Sequence, residues 1–310
     1  MKKKIGYRII ALIIAAAVIG MTACSSETEN EADEVQNYEE AVEENKEREE
    51  VAILFTGNLL GNAREDADFK QIKERAEEIR KTNVNVDIVD CGNHVSADVS
   101  GDIDGAIKTV KAMASAGYTH AVIGSHEFDF GLDGLKAMLD EGGLKSMSVN
   151  FRYSGFQEDI TEGIVRYDIV SLGNVKIAYV AISDNSVTES KSDIFMEDGR
   201  MAYSFSARSN SYLNETVRKY ADICRSEGAD YVILISDYVK NELFNMTDMT
   251  RMTDNIDAVI CANNVDGRSL ETKIYNNNDK EVPLVFLKDG VNSFTELRIS
   301  PSGSFSFTSR

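Results

Sequence analysis

From Val51 onward, short apolar runs alternate with longer stretches whose apolar residues recur every three or four positions. Val51–Phe55, Val86–Asp90, Ala121–Ile123 and Met147–Val149 are too short for helices and read as buried strands. Between them, Phe69, Ile72, Ala76 and Ile79 share one helical face, Ile103, Ile107, Val110 and Ala114 a second, and Leu132, Leu135 and Leu139 a third. Gly117 fits the residue just past the second helix, where a left-handed backbone closes the last turn. Strands alternating with helices in this way build a mostly parallel sheet with crossover helices.

The middle of the chain changes period. Val165–Leu172 and Val175–Ile182 alternate apolar and polar residues around Gly173 and Asn174, the pattern of a β-hairpin. A helix follows from about Ser209 to Glu227, ended by Gly228. Strands Tyr231–Ser236, Ile256–Ala262, Leu284–Leu287 and Phe294–Ile299 complete the pattern. With no internal repeat and no second linker, residues 51–310 read as one α/β domain.

The first fifty residues follow other rules. Lys2, Lys3, Lys4 and Arg8 precede an apolar segment of 13 residues, Ile9–Met21. A membrane-spanning helix needs about 20, so residues 1–23 read as a signal peptide. Met21–Cys24 resembles the lipobox of bacterial lipoproteins, which implies a lipidated Cys24 as the first mature residue and a membrane as the partner that holds it. Residues 24–50 are then a tether. Residues 25–50 hold 12 acidic and 2 basic side chains with almost nothing apolar to bury. Any secretory reading places the protein outside the cytoplasm; the lipobox resemblance further implies an anchor in the bacterial membrane.

The formal charge is −19, which argues against nucleic acid as a partner because phosphate binding needs clustered Lys and Arg. Of four cysteines, Cys24 goes to the lipid, and Cys91, Cys224 and Cys261 are too few for a disulfide framework. Cys91 and Cys261 close apolar runs and read as core residues; a bridge between them requires neighbouring strands. With only His94, His120 and His126 in the chain and no Gly-x-Ser-x-Gly, a serine triad has no support, and no Walker-type phosphate loop is present. His94 and His120 read as loop or surface residues.

Gly124–Gly131, reading GSHEFDFG, resembles the GNHEFDFG signature of 5'-nucleotidase-like enzymes of the calcineurin-like metallophosphoesterase superfamily. The resemblance extends over residues 51–300 and implies a four-layer α/β/β/α sandwich of two mixed sheets. It also implies two divalent metals, and here the chain departs from its family. Asn58 and Leu60 stand where the first strand ends in Asp-x-His, and Asn93 stands at the metal-bridging Asp. Ser125 replaces the signature Asn, Asp237 a ligand His, and Asn263 and Val265 the Gly-His-x-His histidines. His126, matching the catalytic histidine, is the one position kept; Glu127 and Asp129 read as loop-shaping residues, with Asp129 placed to orient His126 or to accept backbone N–H groups. Two cations about 3.5–4 Å apart need a bridging anion. Neutral Asn93 supplies none, and Leu60 and Val265 have no donor atom, so no metal cofactor is expected. A weaker alternative is one hard cation held by Asp237 with the amide oxygens of Asn58, Asn93 and Asn263.

The expectation is a surface lipoprotein whose degenerate metallophosphoesterase domain is a non-catalytic binding or scaffolding module. Asn58, Asn93, Ser125, His126, Asp237 and Asn263 would line a neutral polar pocket for a small polar or phosphate-bearing ligand. Two other readings stand beside it: an extracytoplasmic metal-dependent phosphoesterase of nucleotide catabolism, and a structural partner of an envelope protein. The base-holding C-terminal domain of full 5'-nucleotidases is not expected after Arg310.

Overall fold

A computed structural model describes residues 48–157, 159–205, 210–237, 246–262, 270–290 and 292–310. Residues 1–47 lie outside the described residues, and with them the expected signal peptide, Cys24 and most of the expected tether. Asn263 and Val265 also fall outside.

In chain order the elements are β1 (Val51–Thr56), α1 (Lys70–Lys81), β2 (Asn85–Asp90), α2 (Ala97–Ser100), α3 (Ile103–Ala116), β3 (His120–Val122), α4 (Gly131–Gly142), β4 (Lys145–Met147) and β5 (Phe151–Tyr153). Then come β6 (Tyr167–Leu172), β7 (Val175–Ile182), α5 (Val187–Ser190), β8 (Met196–Glu197), β9 (Arg200–Met201) and β10 (Tyr203–Phe205). The last are α6 (Asn210–Ser226), β11 (Tyr231–Ser236), α7 (Met246–Met252), β12 (Ala258–Cys261), β13 (Leu270–Tyr275), β14 (Glu281–Phe286), β15 (Thr295–Ile299) and β16 (Phe305–Ser309).

Two six-stranded sheets form, in the orders β16-β15-β1-β2-β3-β4 and β13-β14-β12-β11-β7-β6. The central strands of each run parallel, while β15, β16, β13 and β6 pair antiparallel at the margins. The alternation of strands and helices thus gave two mixed sheets rather than one mostly parallel one. The hairpin turn at Gly173 and Asn174 pairs Leu172 with Val175.

Period-two patterning sorts side chains between layers. Ile53 and Phe55 of β1, Ile177 and Tyr179 of β7, and Ile233 and Ile235 of β11 meet between the sheets. Their neighbours Ala52 and Leu54 face Ile72, Ala76 and Ile79 of α1 and Met113 of α3. On the other side Val180, Val232 and Leu234 face Val217 and Ala221 of α6. That gives four layers, α/β/β/α. A further aromatic cluster of Phe128, Phe151, Phe195, Tyr203 and Phe205 packs beneath the signature loop.

Two histidines assigned to surface or loop are buried instead. His120 starts β3 between the sheets, with Nε2 2.8 Å from Asp168 Oδ2 and Nδ1 2.7 Å from the Thr119 hydroxyl. His94 lies beneath the loop after β2. Both correct the sequence reading for one reason: a carboxylate distant in sequence supplies the partner. Cys91, Cys224 and Cys261 are free and buried. Cys91 packs between the sheets and Cys261 on the helix side of the second sheet, so the backbone of that sheet separates them.

Candidate functional site

Loops following the carboxyl ends of β1, β2, β3 and β11 converge at one end of the sandwich, where ligands of open α/β sheets are usually found. Asn58 and Leu60 follow β1, Asn93 follows β2, Ser125 and His126 follow β3, and Asp237 follows β11. Asn58, Leu60 and Asn93 all have left-handed backbones, with φ of 52°, 51° and 57°. Asn tolerates that region; a branched side chain such as Leu60 pays a penalty of about 1 kcal/mol. Backbone bonds hold the loops there: Asn58 N donates to Gly92 O at 3.0 Å, Leu60 N to Asn93 O at 2.9 Å and Gly61 N to His94 O at 2.9 Å.

The polar side chains at these positions bind one another. Asn93 Nδ2 donates to Asn58 Oδ1 at 3.0 Å. Asn93 Oδ1 accepts from His126 N at 3.1 Å and from the Ser125 hydroxyl at 3.3 Å. Asn58 Nδ2 donates to Ala262 O at 3.1 Å and to Asp289 Oδ1 at 2.7 Å. Asp237 is fully buried, and its two oxygens accept from Asp184 N at 2.8 Å and Ser125 N at 3.1 Å. Burial pushes the Asp237 carboxyl well above the usual range, and the nearby Asp184 charge adds to this. Gly124 makes the packing feasible, since a Cβ there would lie 2.4 Å from Asn93 Oδ1 and 2.7 Å from Asp237 Oδ2.

The signature loop is anchored by Glu127. Its carboxylate accepts from four backbone N–H groups: Gly124 at 2.6 Å, His94 at 2.8 Å, Asn93 at 3.1 Å and Val95 at 3.3 Å. His94 Nδ1 sits 3.3 Å from Asp90 Oδ1 and 3.4 Å from Glu127 Oε1. Burial pulls the imidazole down, but the Glu127 charge and the Asp90 hydrogen bond outweigh it, lifting His94 to about 8.

His126 is partly open, with 41% of its side chain exposed. Its Nδ1 lies 3.0 Å from Asp129 Oδ2, which also accepts from Ala97 N at 2.9 Å. Lys191, from the segment after β7, contacts Asp129 Oδ1 and donates to Ser125 O at 3.1 Å. Burial alone would raise the Asp129 carboxyl, but bonds from His126, Lys191 and the Ala97 N–H hold it at about 2. The His126–Asp129 hydrogen bond raises the imidazole.

Sequence reasoning did not single out Lys191, Asp184 or Asp289, and it gave Glu127 only a loop-shaping role. Lys191 and Asp289 are charged residues in loops with no motif around them, so only the fold brings them to the site.

The donor set does not fit the pair of divalent metals that such folds carry. Metal binding requires free lone pairs on anionic or imidazole ligands. Neutral Asn58 and Asn93 stand where carboxylates would screen two cations, Asn93 Oδ1 already accepts two hydrogen bonds, and Leu60 offers no donor atom. Among the described residues no cluster of three or more His, Cys, Asp or Glu is arranged to hold a metal ion.

No protein-family model matches the chain. It is 30% identical over 114 residues to a snake venom 5'-nucleotidase from Gloydius brevicauda, a match spanning 35% of this chain and 19% of the relative. In structure it resembles a 5'-nucleotidase precursor from Thermus thermophilus, with a TM-score of 0.65 and 15% identity over 84% of this chain and 54% of the other. It resembles Haemophilus influenzae NAD nucleotidase at a TM-score of 0.62 and 17% identity, over 84% and 49% of the two chains. A calcineurin-like phosphoesterase from Bacillus subtilis aligns at a TM-score of 0.60 and 15% identity, over 84% of this chain and 90% of that one. The chain thus spans about half the length of the two nucleotidase structures. The fold is the mixed two-sheet sandwich of these 5'-nucleotidases and calcineurin-like phosphoesterases.

Proposed function

We propose that this chain is an extracytoplasmic lipoprotein, anchored through Cys24, whose 5'-nucleotidase-like domain is a non-catalytic binding or scaffolding module. One observation carries this reading: the side chains at the family's ligand positions are hydrogen-bonded to one another. Asn93 links Asn58, Ser125 and the His126 backbone, and Asp237 is closed off by two backbone N–H groups. A neutral amide at the bridging position leaves two cations unscreened, and opening the network to admit them would strand buried polar groups at about 1–3 kcal/mol each. The partly exposed Asn58, Ser125 and His126 form the face that would meet a small polar ligand.

The test is metal content and turnover together. A soluble form beginning at Glu47 is exposed to Mn²⁺, Zn²⁺ and Ca²⁺, dialysed, weighed by native mass spectrometry, and assayed with AMP and an aryl phosphate. The expected outcome is no retained metal and no turnover, with nucleosides or nucleotides shifting Tm or the His126 NMR signal.

A second reading, a phosphoesterase with an unusual metal requirement, rests on the retained His126–Asp129 pair and its open imidazole. About two metals per chain, with turnover abolished by His126→Ala, would establish it and sink the non-catalytic reading.

A further inference from the structure

The second sheet ends in a strand whose outer edge is unused. β6 pairs only with β7, so its other side carries backbone N–H and C=O groups with no ladder among the described residues. Proteins usually blunt such edges with lysine, proline or short length. The opposite edge of this sheet, β13, carries Glu271 and Lys273, and β4, at an edge of the first sheet, has three residues including Lys145. β6 has six residues, Tyr167–Leu172, with neither lysine nor proline.

A groove of about 580 Å³ lies along this edge, lined by the consecutive residues Ile164–Ile169 together with Glu227. The Val165 N–H and C=O are already bonded to Ser146 O and Ser148 N, so the open edge begins at Tyr167, and a groove running along it suits an extended chain better than a compact ligand. Most charges around it are matched. Asp168 accepts from Lys145 and lies 2.8 Å from His120 Nε2, while the Tyr167 hydroxyl donates to Glu227 at 2.8 Å. Arg166 is different: it is half-buried in the groove wall and has no hydrogen bond or ion pair among the described residues. A guanidinium partly withdrawn from water and left unpaired favours a carboxylate.

We propose that the β6 edge receives an extended segment of a partner protein as an added strand, with one carboxylate side chain of that segment paired to Arg166. Backbone ladder bonds supply affinity, and the apolar surface of Ile164, Val165 and Ile169 selects what lies beside the carboxylate. The net charge of −19 disfavours a strongly acidic partner, so a single carboxylate among uncharged residues is the matching pattern. This inference depends on the sheet edge alone and is independent of whether the loop site binds metal.

The test uses the full chain in mild detergent and a degenerate heptapeptide library with glutamate fixed at the centre. Retained peptides are identified by mass spectrometry at physiological salt. The expected result is enrichment of β-branched residues around the glutamate, slowed amide exchange across residues 167–172, and at least tenfold weaker retention by Arg166→Glu. Because Arg166 has no described partner, that variant should keep its Tm. Resynthesised hits with alternate backbone nitrogens methylated should no longer bind. Equal retention by Arg166→Glu overturns the proposal, as does binding that survives methylation, which would mean carboxylate capture without strand pairing.

Discussion

Glu127 joins two loops that are far apart in sequence, since three of its four backbone donors come from the stretch Asn93–Val95 and one from Gly124. A glutamine there would present an NH₂ group to two of those donors and remove a charge from beside His94. Glu127→Gln should therefore cost about 3 kcal/mol, read as a lower urea midpoint at unchanged m-value. His94 sets a pH dependence of definite sign. Its folded-state value, about 8, lies above the ordinary 6.5, so its contribution is complete below about pH 6.5 and lost as pH rises through 8. The difference in unfolding free energy between wild type and His94→Gln should shrink by about 2 kcal/mol between pH 6 and 9. A flat difference would show that folding leaves the His94 pKa unshifted, and a difference that grows with pH would show an imidazole held neutral.

At the scale of elements, caps and periodicity agree with the structure where they are strongest. α3 begins at Asp102, whose side chain accepts from Gly105 N at 2.9 Å, and ends at Gly117 with φ 96°. Asp102→Ala should lower stability by about 1 kcal/mol, a few degrees in Tm by calorimetry, leaving the far loops undisturbed. Strand boundaries moved where the chain changes sheet. Met147–Val149 was expected as one strand, but β4 ends at Met147, and Val149 N instead donates to Ala181 O of the second sheet. The edge strands β13 and β16 and the small pairs β5–β10 and β8–β9 left no sequence reading. The strands of the small pairs have only 2 or 3 residues each, and β13 and β16 mix in polar residues that resemble loop.

Over the whole molecule, the two sheets are joined by apolar packing and by buried polar links, among them His120–Asp168 and Tyr179–Asp87. The Tyr179 hydroxyl of β7 donates to Asp87 Oδ2 of β2 at 2.9 Å, and Thr119 donates to the other oxygen at 2.7 Å. Tyr179→Phe removes one donor from a buried carboxylate without changing volume, so a loss of about 1–3 kcal/mol is expected in equilibrium unfolding. A neutral result would mean that the Tyr179–Asp87 bond adds nothing to the apolar packing around it.

Local signals in the chain were enough for the helices, the hairpin and the strand–helix alternation, because hydrophobic period and glycine caps act over a few residues. The resemblance around Gly124–Gly131 carried the two-sheet sandwich, and the residue types at Asn58, Leu60 and Asn93 carried the expectation of no metal cofactor. Tertiary structure alone decided which groups meet. It buried His94 against Asp90 and Glu127, brought Lys191 to Asp129, turned Asn93 onto Asn58, and left Arg166 with no partner among the described residues beside an open edge. Each of these depends on which loops converge after folding, and no period or motif within a single segment encodes the charge another segment will bring to it.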